Sequence, residues 1–258
     1  RLVDVLGFAH AQAAGTMQAH VEGSIALPVQ IAHAARAAVT AADLAAEGLT
    51  GPHDPLEGPY GHFTLFETGE PSRMAEDLGH RWHLADISVK PWPSGRASHA
   101  VLGVLEGRRA ADIRSVEAEV PMLVHRLVGR PWVTDMAPAY ARLCLPFLAA
   151  LMLTEGRIDP RRFTATSFAD VELRKIGAVV TVRPDANPDP NALSPQRVLV
   201  NGVPHDVPAT LGSTDAPLSA ERHRDKIDFA LSLSAARNAP AVDDLLARPT
   251  AHLAGRDA

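Results

Sequence analysis

The chain has 258 residues and a formal net charge of −5, with 46% hydrophobic and 21% charged residues. This is the composition of an ordinary globular protein, long enough for one large domain or two modest ones. The acidic balance argues against a nucleic-acid partner, because neutralising phosphates needs an excess of basic residues. The most apolar stretch, Leu143 to Leu153, is too short to span a membrane and predicts a buried helix.

Cys144 is the single cysteine of the chain. One cysteine excludes an intrachain disulfide and a four-cysteine metal or iron–sulfur site. Its neighbours Leu143, Leu145 and Phe147 indicate a small buried hydrophobe rather than a reactive thiol. Cysteine usage of this kind predicts a cytoplasmic protein.

The first predicted element is a helix from Leu2 to Gln18, with apolar residues spaced three and four apart. It has neither an N-cap residue nor a signal peptide, so we expect the chain to begin inside a helix of a larger fold. A second helix is predicted from Pro28, which suits the first helical position, to a stop at Gly48. The glycine-rich passage 56–63 predicts a loop with a short helix.

The pattern changes after residue 80. His83 to Val89 has the composition of a short strand. The two prolines of segment 90–93 impose extended geometry, and Ser94 is the expected N-cap of a helix from Gly95 to Glu106. Alternating apolar residues then predict a strand over Val116 to Val120.

The next predicted helix covers Pro138 to Leu153, and two further strands are predicted at Ala178–Val182 and Val198–Val203. Asn201-Gly202 interrupts the last of these with a strong hairpin signal. Pro204 would confine that region to the edge of a sheet, because proline has no amide proton for a ladder.

A final helix is predicted from Ser219 to Ser232. Helices therefore flank a mixed region, which predicts a fold that is mainly α with an inserted α+β lid, a helical domain interrupted by a mixed α/β domain. We place the helical domain at residues 1–89, the lid at 90–212 and the return to the helical domain at 213–258.

Several short motifs recur in a fixed order along the chain. They are Gln12-Ala13-Ala14-Gly15 with Glu22-Gly23-Ser24, Leu56-Glu57-Gly58 with Gly61-His62-Phe63, Lys90-Pro91-Trp92-Pro93-Ser94 closed by Ser98-His99, and Pro217-Leu218-Ser219. In these motifs and their spacing the chain resembles the carboxy-terminal portion of the MmgE/PrpD family. That family includes 2-methylcitrate dehydratase, cis-aconitate decarboxylase and iminodisuccinate epimerase.

The resemblance implies an active site between the helical domain and the lid, a homodimer, and no required metal or cofactor. It also implies that further active-site histidine and aspartate residues belong to an N-terminal stretch, which a separate chain could supply. His80 and His83 have a ligand-like spacing, but no third ligand or zinc signature accompanies them, and we predict no metal site.

Lys90 and His99 lie on the matching motif, so the resemblance makes them catalytic residues. Lys90 would hold a substrate carboxylate, and His99 would handle protons at the start of the following helix. The alternatives are a solvated lysine and a helix-capping histidine. His125 lies where the family often has an active-site tyrosine, and the alternative is a structural strand histidine. Arg126 could bind a carboxylate through a bidentate contact.

The same resemblance assigns Ser24, Gln30 and His33 to substrate binding. Leu27 and Gln30 depart from the family, which has lysine and histidine at these positions. Leucine cannot bind a carboxylate, and glutamine cannot exchange a proton near neutral pH. His33, almost one helical turn after Gln30, could compensate, or could be an ordinary polar residue of an exposed helix face.

The function predicted first is a metal-independent lyase, a dehydratase or decarboxylase acting on a small di- or tricarboxylic acid. One alternative is an epimerase or isomerase, because proton removal next to a carboxylate begins that reaction too. The other is a catalytically silent or split-enzyme subunit of the same fold, which the Leu27 and Gln30 departures favour.

Overall fold

The computed structural model describes residues 1–234, and within this range it contains eleven α-helices and four strands. The helices are α1 (Leu2–Ala11), α2 (Gln18–Glu22), α3 (Ala26–Ala46), α4 (His62–Leu65), α5 (His99–Leu105), α6 (Met122–Val128), α7 (Pro138–Ala141), α8 (Leu145–Glu155), α9 (Ala165–Ala169), α10 (Val171–Gly177) and α11 (Ala220–Leu233). The strands are β1 (Val116–Val120), β2 (Val180–Pro184), β3 (Gln196–Val200) and β4 (Val203–Val207).

The strands form one mixed sheet in the order β2-β1-β3-β4. β1 runs parallel to β2, with Val116 opposite Val180, and antiparallel to β3, with Val116 opposite Val200. β3 and β4 form the hairpin that Asn201-Gly202 predicted, and both turn residues have positive φ, 52° and 82°. β4 is an edge strand, as Pro204 predicted.

The core lies between this sheet and α8. Val116, Ala118 and Val120 of β1 are fully buried on the side facing the core. α8 is buried along nearly its whole length, which confirms the buried helix predicted from its apolar run. Phe147 of α8 is its aromatic centre, with edge-to-face contact to Trp132 at 5.1 Å and to Phe168 at 5.3 Å between ring centroids.

The N-terminal helices pack through small residues. α3 buries Ala37, Ala41 and Ala45. Gly7 of α1 lies so close to residue 52 that an added Cβ would fall 2.3 Å from the Pro52 oxygen. Asp4 fastens this contact by accepting a hydrogen bond from the Gly51 amide at 3.1 Å. Among the helices of residues 1–234, none combines the length and hydropathy that a membrane span needs.

Several predicted boundaries are confirmed and others are wrong. α3 ends before Gly48, which has φ of 88°, and α11 begins after Ser219, whose side chain accepts a hydrogen bond from Arg222. The helix predicted from Leu2 to Gln18 instead ends at Ala11, because Gly15 adopts φ of 99° and α2 then starts afresh. The second helix begins at Ala26 rather than at Pro28.

The predicted strand from His83 to Val89 is wrong. Residues His83–Asp86 form a 3₁₀ turn, and Val89 makes a single ladder-like hydrogen bond, to the Gly212 oxygen at 2.7 Å. A strand needs a neighbour along its length. The exposed Leu84 and Ile87 have no sheet to bury them.

Two other helix predictions need correction. Ser94 is not an N-cap: it is buried and bonds the Ser98 hydroxyl at 3.0 Å, while α5 begins only at His99 after a 3₁₀ turn at Arg96–Ser98. The single helix predicted over Pro138 to Leu153 is two helices, α7 and α8, because the backbone of Cys144 is extended between them, and Pro146 lies in the first turn of α8.

His125 lies in a helix and not in a strand. β1 ends at Val120, and α6 starts two residues later and carries His125 in its second half. Two helices, α9 and α10, were not predicted, although Thr164 and Asp170 cap them with their side chains.

The fold is mixed α/β, with helices before, within and after the sheet region. The description of residues 90–212 as a lid stays a prediction, as do the boundaries at 89 and 212. Residues 235–258 of the predicted third segment lie outside the described residues.

Candidate functional site

A cleft of about 550 Å³ lies where the α2–α3 junction meets the segment after residue 90. Its further walls come from α6, α7, the turn before α8 and the loop before β3. The Gly95 amide donates to the Arg142 carbonyl at 3.0 Å, which joins two of these walls. The cleft has the size of a small-molecule site.

The charged groups that line the cleft are all basic. They are Lys90, Arg96 and Arg142, with His20 beside them, and no aspartate or glutamate is among the lining residues that the structure describes. Arg96 is half-buried, and its Nε is buried without a hydrogen-bond partner. A cleft of this charge favours an anion, and guanidinium groups are suited to carboxylates.

Lys90 is exposed and reaches the cleft from a segment that is held on both sides. Before it, the Val89 amide donates to the Gly212 carbonyl at 2.7 Å. After it, Trp92 is only 7% exposed, and the Arg222 guanidinium lies over its ring at 5.8 Å from the centroid. The backbone at Lys90 is therefore fixed, while its ammonium group stays free to meet a ligand.

His99 lies behind the cleft and does not line it. It is 1% exposed and makes edge-to-face contact with Trp92 at 5.4 Å. Burial, and after it the positive charges of Lys90 and Arg96, lower its pKa to about 3. The Ser94 backbone opposes this shift, but neither ring nitrogen has a partner within hydrogen-bond geometry, so burial dominates. His99 is neutral at physiological pH.

His20 is the histidine that lines the cleft. Burial lowers its pKa, and the charge of Arg130 lowers it further. Its Nε2 is buried and has no hydrogen-bond partner. A neutral imidazole on a cleft-lining residue is a candidate proton acceptor.

Arg130 lies at the back of this region and is 7% exposed. Its Nη2 donates to the His20 carbonyl, its Nε donates to the Leu127 carbonyl at 3.1 Å, and its guanidinium lies over the Tyr140 ring at 5.1 Å. Burial lowers the pKa of Arg130, although a guanidinium stays charged at any ordinary pH. Arg130 thus ties α2 to α6 and α7.

Of the other predicted site residues, one lines the cleft and four do not. Ser24 lines the cleft, where its hydroxyl accepts a hydrogen bond from the Ala26 amide at 3.2 Å. Gln30 and His33 do not line it; the His33 ring instead contacts Arg36 at 3.1 Å. His125 is half-buried and Arg126 is exposed, and both are absent from the lining.

Leu27 does line the cleft, in the position where the family resemblance expects a lysine. Three basic residues that the sequence analysis did not select line it too: His20, Arg96 and Arg142. Arg96 lies inside the motif that singled out Lys90, and that proximity was the available signal. No local sequence motif identifies His20 or Arg142 as a site residue. A reversal of the chain brings His20 to the cleft, and the break between α7 and α8 brings Arg142 there. Within residues 1–234, no three His, Cys, Asp or Glu side chains group as a metal site would require.

The cleft is of small-molecule size, its charged lining residues are basic, and both parts of the chain contribute to it. The MmgE/PrpD C-terminal domain matches residues 96–246, and the MmgE/PrpD N-terminal domain matches residues 1–75. The chain therefore belongs to the MmgE/PrpD family. His20 and Leu27 fall in the N-terminal match, and Arg96 and Arg142 in the C-terminal match, so the cleft is built from both. No curated protein matches the chain.

Proposed function

We propose that this chain is a metal-independent lyase, a dehydratase or decarboxylase, for a small di- or tricarboxylic acid bound in the basic cleft. Family membership supports dehydratase-like chemistry broadly, since the family includes lyases. The single observation that carries the proposal is the set of cations in the cleft, Lys90, Arg96 and Arg142, with no carboxylate among the described lining residues.

Dehydration would begin with the removal of a proton next to a substrate carboxylate, whereas decarboxylation would break the C–C bond to a carboxylate, release carbon dioxide and add a proton to the carbon left behind. His20 is the proposed proton acceptor, because it is neutral and lines the cleft. Lys90 and Arg96 would hold the carboxylate and stabilise the negative charge that develops on it. In dehydration the C–H electron pair then forms the double bond, and the hydroxyl group takes a proton from the protonated His20 or from solvent and leaves as water.

His99 enters this proposal differently from the sequence analysis. A neutral, fully buried ring behind the cleft can support Trp92 and the backbone at Lys90 without touching substrate. Its assignment as a catalytic residue stays a prediction, as does that of His125.

A silent or split-enzyme subunit is the second candidate, and Leu27 favours it. The cleft has leucine where the resemblance expects a cation, which leaves one carboxylate-binding group fewer. α3 also exposes the apolar side chains of Val29, Ile31 and Val39 by more than 60%, and a second copy or a separate N-terminal chain could cover them. A cytoplasmic location belongs to the same set of proposals.

The experiment incubates the protein with 2-methylcitrate, cis-aconitate and simpler dicarboxylates in D₂O, while NMR follows each acid and calorimetry measures its binding. Loss of water or carbon dioxide supports the lyase. Deuterium uptake without loss of substrate indicates an epimerase, and binding without either indicates a silent subunit. Failure of every acid to bind would contradict both the lyase and the epimerase.

Two variants, Lys90→Met and Arg96→Met, test whether the cleft is the site. Each should weaken carboxylate binding by about tenfold or more, since a charged hydrogen bond contributes roughly 1.5–3 kcal/mol. Arg109→Met is the matched control, because Arg109 is exposed and lies outside the cleft. Equal binding by all three variants would place the site elsewhere.

A further inference from the structure

The walls of the cleft are apolar between its cationic groups. Four leucines line it, and each comes from a different part of the chain: Leu27, Leu127, Leu143 and Leu193. All four are half-buried, so each keeps part of its side chain open to the cleft. Alanines and prolines supply much of the remaining lining.

A cleft that combines cationic groups with these leucines has more apolar surface than a tricarboxylic acid of six or seven carbons requires. Such a molecule presents carboxylates in nearly every direction and would place at least one of them against a leucine. A carboxylate that loses water there finds no donor, which costs several kcal/mol relative to a paired one. The volume of about 550 Å³ also leaves room beside a compact polar acid.

We infer that the preferred ligand is an alkyl-substituted dicarboxylate whose hydrocarbon branch contacts the leucines while its two carboxylates meet the cations. This rests on the proposed function for the binding of carboxylates and names the substrate class more narrowly. Leu27 is the specificity-determining residue, because it is the leucine that lies on the same chain segment as Ser24 and as helix α2, which carries His20.

The physical basis is the transfer of the branch out of water. Each methylene that becomes fully buried tightens binding roughly fourfold. A branch of three or four carbons that is only partly covered should therefore gain about tenfold. A polar side chain at position 27 would remove part of this gain without touching the groups that hold the carboxylates.

Isothermal titration of the wild-type protein with succinate, 2-methylsuccinate, 2-butylsuccinate and tricarballylate tests the inference. We expect affinity to rise along the alkyl series, with 2-butylsuccinate at least about tenfold tighter than succinate and tighter than tricarballylate. A flat alkyl series, or tricarballylate as the tightest ligand, overturns the inference and leaves the proposed function standing. If none of the four acids binds, both fail.

The variant Leu27→Asn tests whether Leu27 is the residue that favours the hydrocarbon branch. This variant should lower the ratio of 2-butylsuccinate to succinate affinity by about threefold to tenfold. Leu49→Asn is the matched control: Leu49 is 48% exposed, follows α3 and lies outside the cleft, so the ratio should stay at the wild-type value. An unchanged ratio in Leu27→Asn would contradict the role of Leu27. Leu27→Ala supplies the same comparison with an apolar residue that is safe for folding.

Discussion

Arg130 donates a hydrogen bond from Nη2 to the backbone carbonyl of His20. The two residues belong to different family domains, since His20 lies within the N-terminal match and Arg130 within the C-terminal match. Gly23 shows how closely the two parts approach, because an added Cβ there would lie 2.8 Å from the Tyr140 backbone and 2.9 Å from Arg130 Nη1. The position of His20 at the cleft therefore depends on a residue more than a hundred positions away in sequence.

Arg130→Met should raise the pKa of His20. The charge of Arg130 is the second cause of the lowered value, after burial, so its loss moves the pKa upward but leaves it below 6.5. The other cations around the cleft, Lys90, Arg96 and Arg142, are unchanged in this variant. NMR titration of the His20 ring measures the shift. Arg126→Met, an exposed position on α6, is the control and should leave His20 unaffected; an equal shift in both would contradict a local effect.

His99→Phe should make the protein less sensitive to acid. The folded protein keeps His99 neutral down to a pKa of about 3, against the ordinary histidine pKa of 6.5, so between these values the unfolded state binds the extra proton. Stability that is complete above pH 6.5 is then lost as pH falls toward 3, by about 1.4 kcal/mol per pH unit. Between pH 7.5 and pH 5, the variant should lose about 2 kcal/mol less than wild type.

Urea unfolding at the two pH values gives this difference, and carboxylates that titrate in the same range cancel because both proteins contain them. His80→Phe is the control, since His80 is exposed and should keep the wild-type pH dependence. If His99→Phe also kept it, His99 would not be held neutral in the folded state.

Arg222 and Glu106 should show a measurable coupling energy. Arg222 donates to both oxygens of Glu106, at 2.8 and 2.9 Å, and the pair is about one-third exposed. The bidentate contact should couple the two residues more strongly than an ordinary surface ion pair does, but solvent screening limits the coupling energy to about 1 kcal/mol. A double-mutant cycle with Arg222→Met and Glu106→Gln measures it in urea unfolding. Arg183 and Glu117, 3.5 Å apart and more exposed, are the comparison pair and should couple by only a few tenths of that value.

Asn201→Ala should destabilise the protein by about 2–3 kcal/mol, because three hydrogen bonds and a favourable turn conformation are lost together. The Asn201 oxygen accepts from the Arg114 and Ser115 amides at 2.7 and 3.1 Å, and its amide group donates to the Asp112 carbonyl at 2.8 Å. Asn201→Gly restores the positive φ but not these bonds, so it should recover only part of the loss. Thermal or urea unfolding measures both variants.

Asn191→Ala is the control for this prediction, since Asn191 is exposed in a loop. It should change the free energy of unfolding by less than about 0.5 kcal/mol. A similarly small effect of Asn201→Ala would mean that the hairpin holds its conformation without these three bonds.

Local signals predicted the elements that depend on local chemistry. Asn201-Gly202 predicted a hairpin, and Gly48 and Ser219 marked a helix end and a helix start, because backbone conformation and capping act over a few residues. The predicted strand from His83 to Val89 failed for the opposite reason. Its residues favour extended structure, but none of the four strands in residues 1–234 lies beside them to complete the ladder.

The sequence motifs also identified some residues of the candidate site correctly and misplaced others. The motif at residue 90 directed attention to Lys90, and the Glu22-Gly23-Ser24 motif to Ser24, and both line the cleft. His99 belongs to the same motif as Lys90, yet its side chain faces the core, because it follows the 3₁₀ turn at Arg96–Ser98 and packs against Trp92. Nine residues of sequence spacing could not decide which side of the segment each side chain would occupy.

By itself the sequence determined the family, the acidic charge, the first and last helices of residues 1–234 and the hairpin, since these follow from composition, motifs and short-range backbone preferences. Only the tertiary structure decided which basic side chains share the cleft. His20, Arg96 and Arg142 come from segments distant in sequence, and they meet because Arg130 and the Gly95–Arg142 hydrogen bond hold those segments together. Long-range packing sets that geometry, and no local pattern along the chain encodes it.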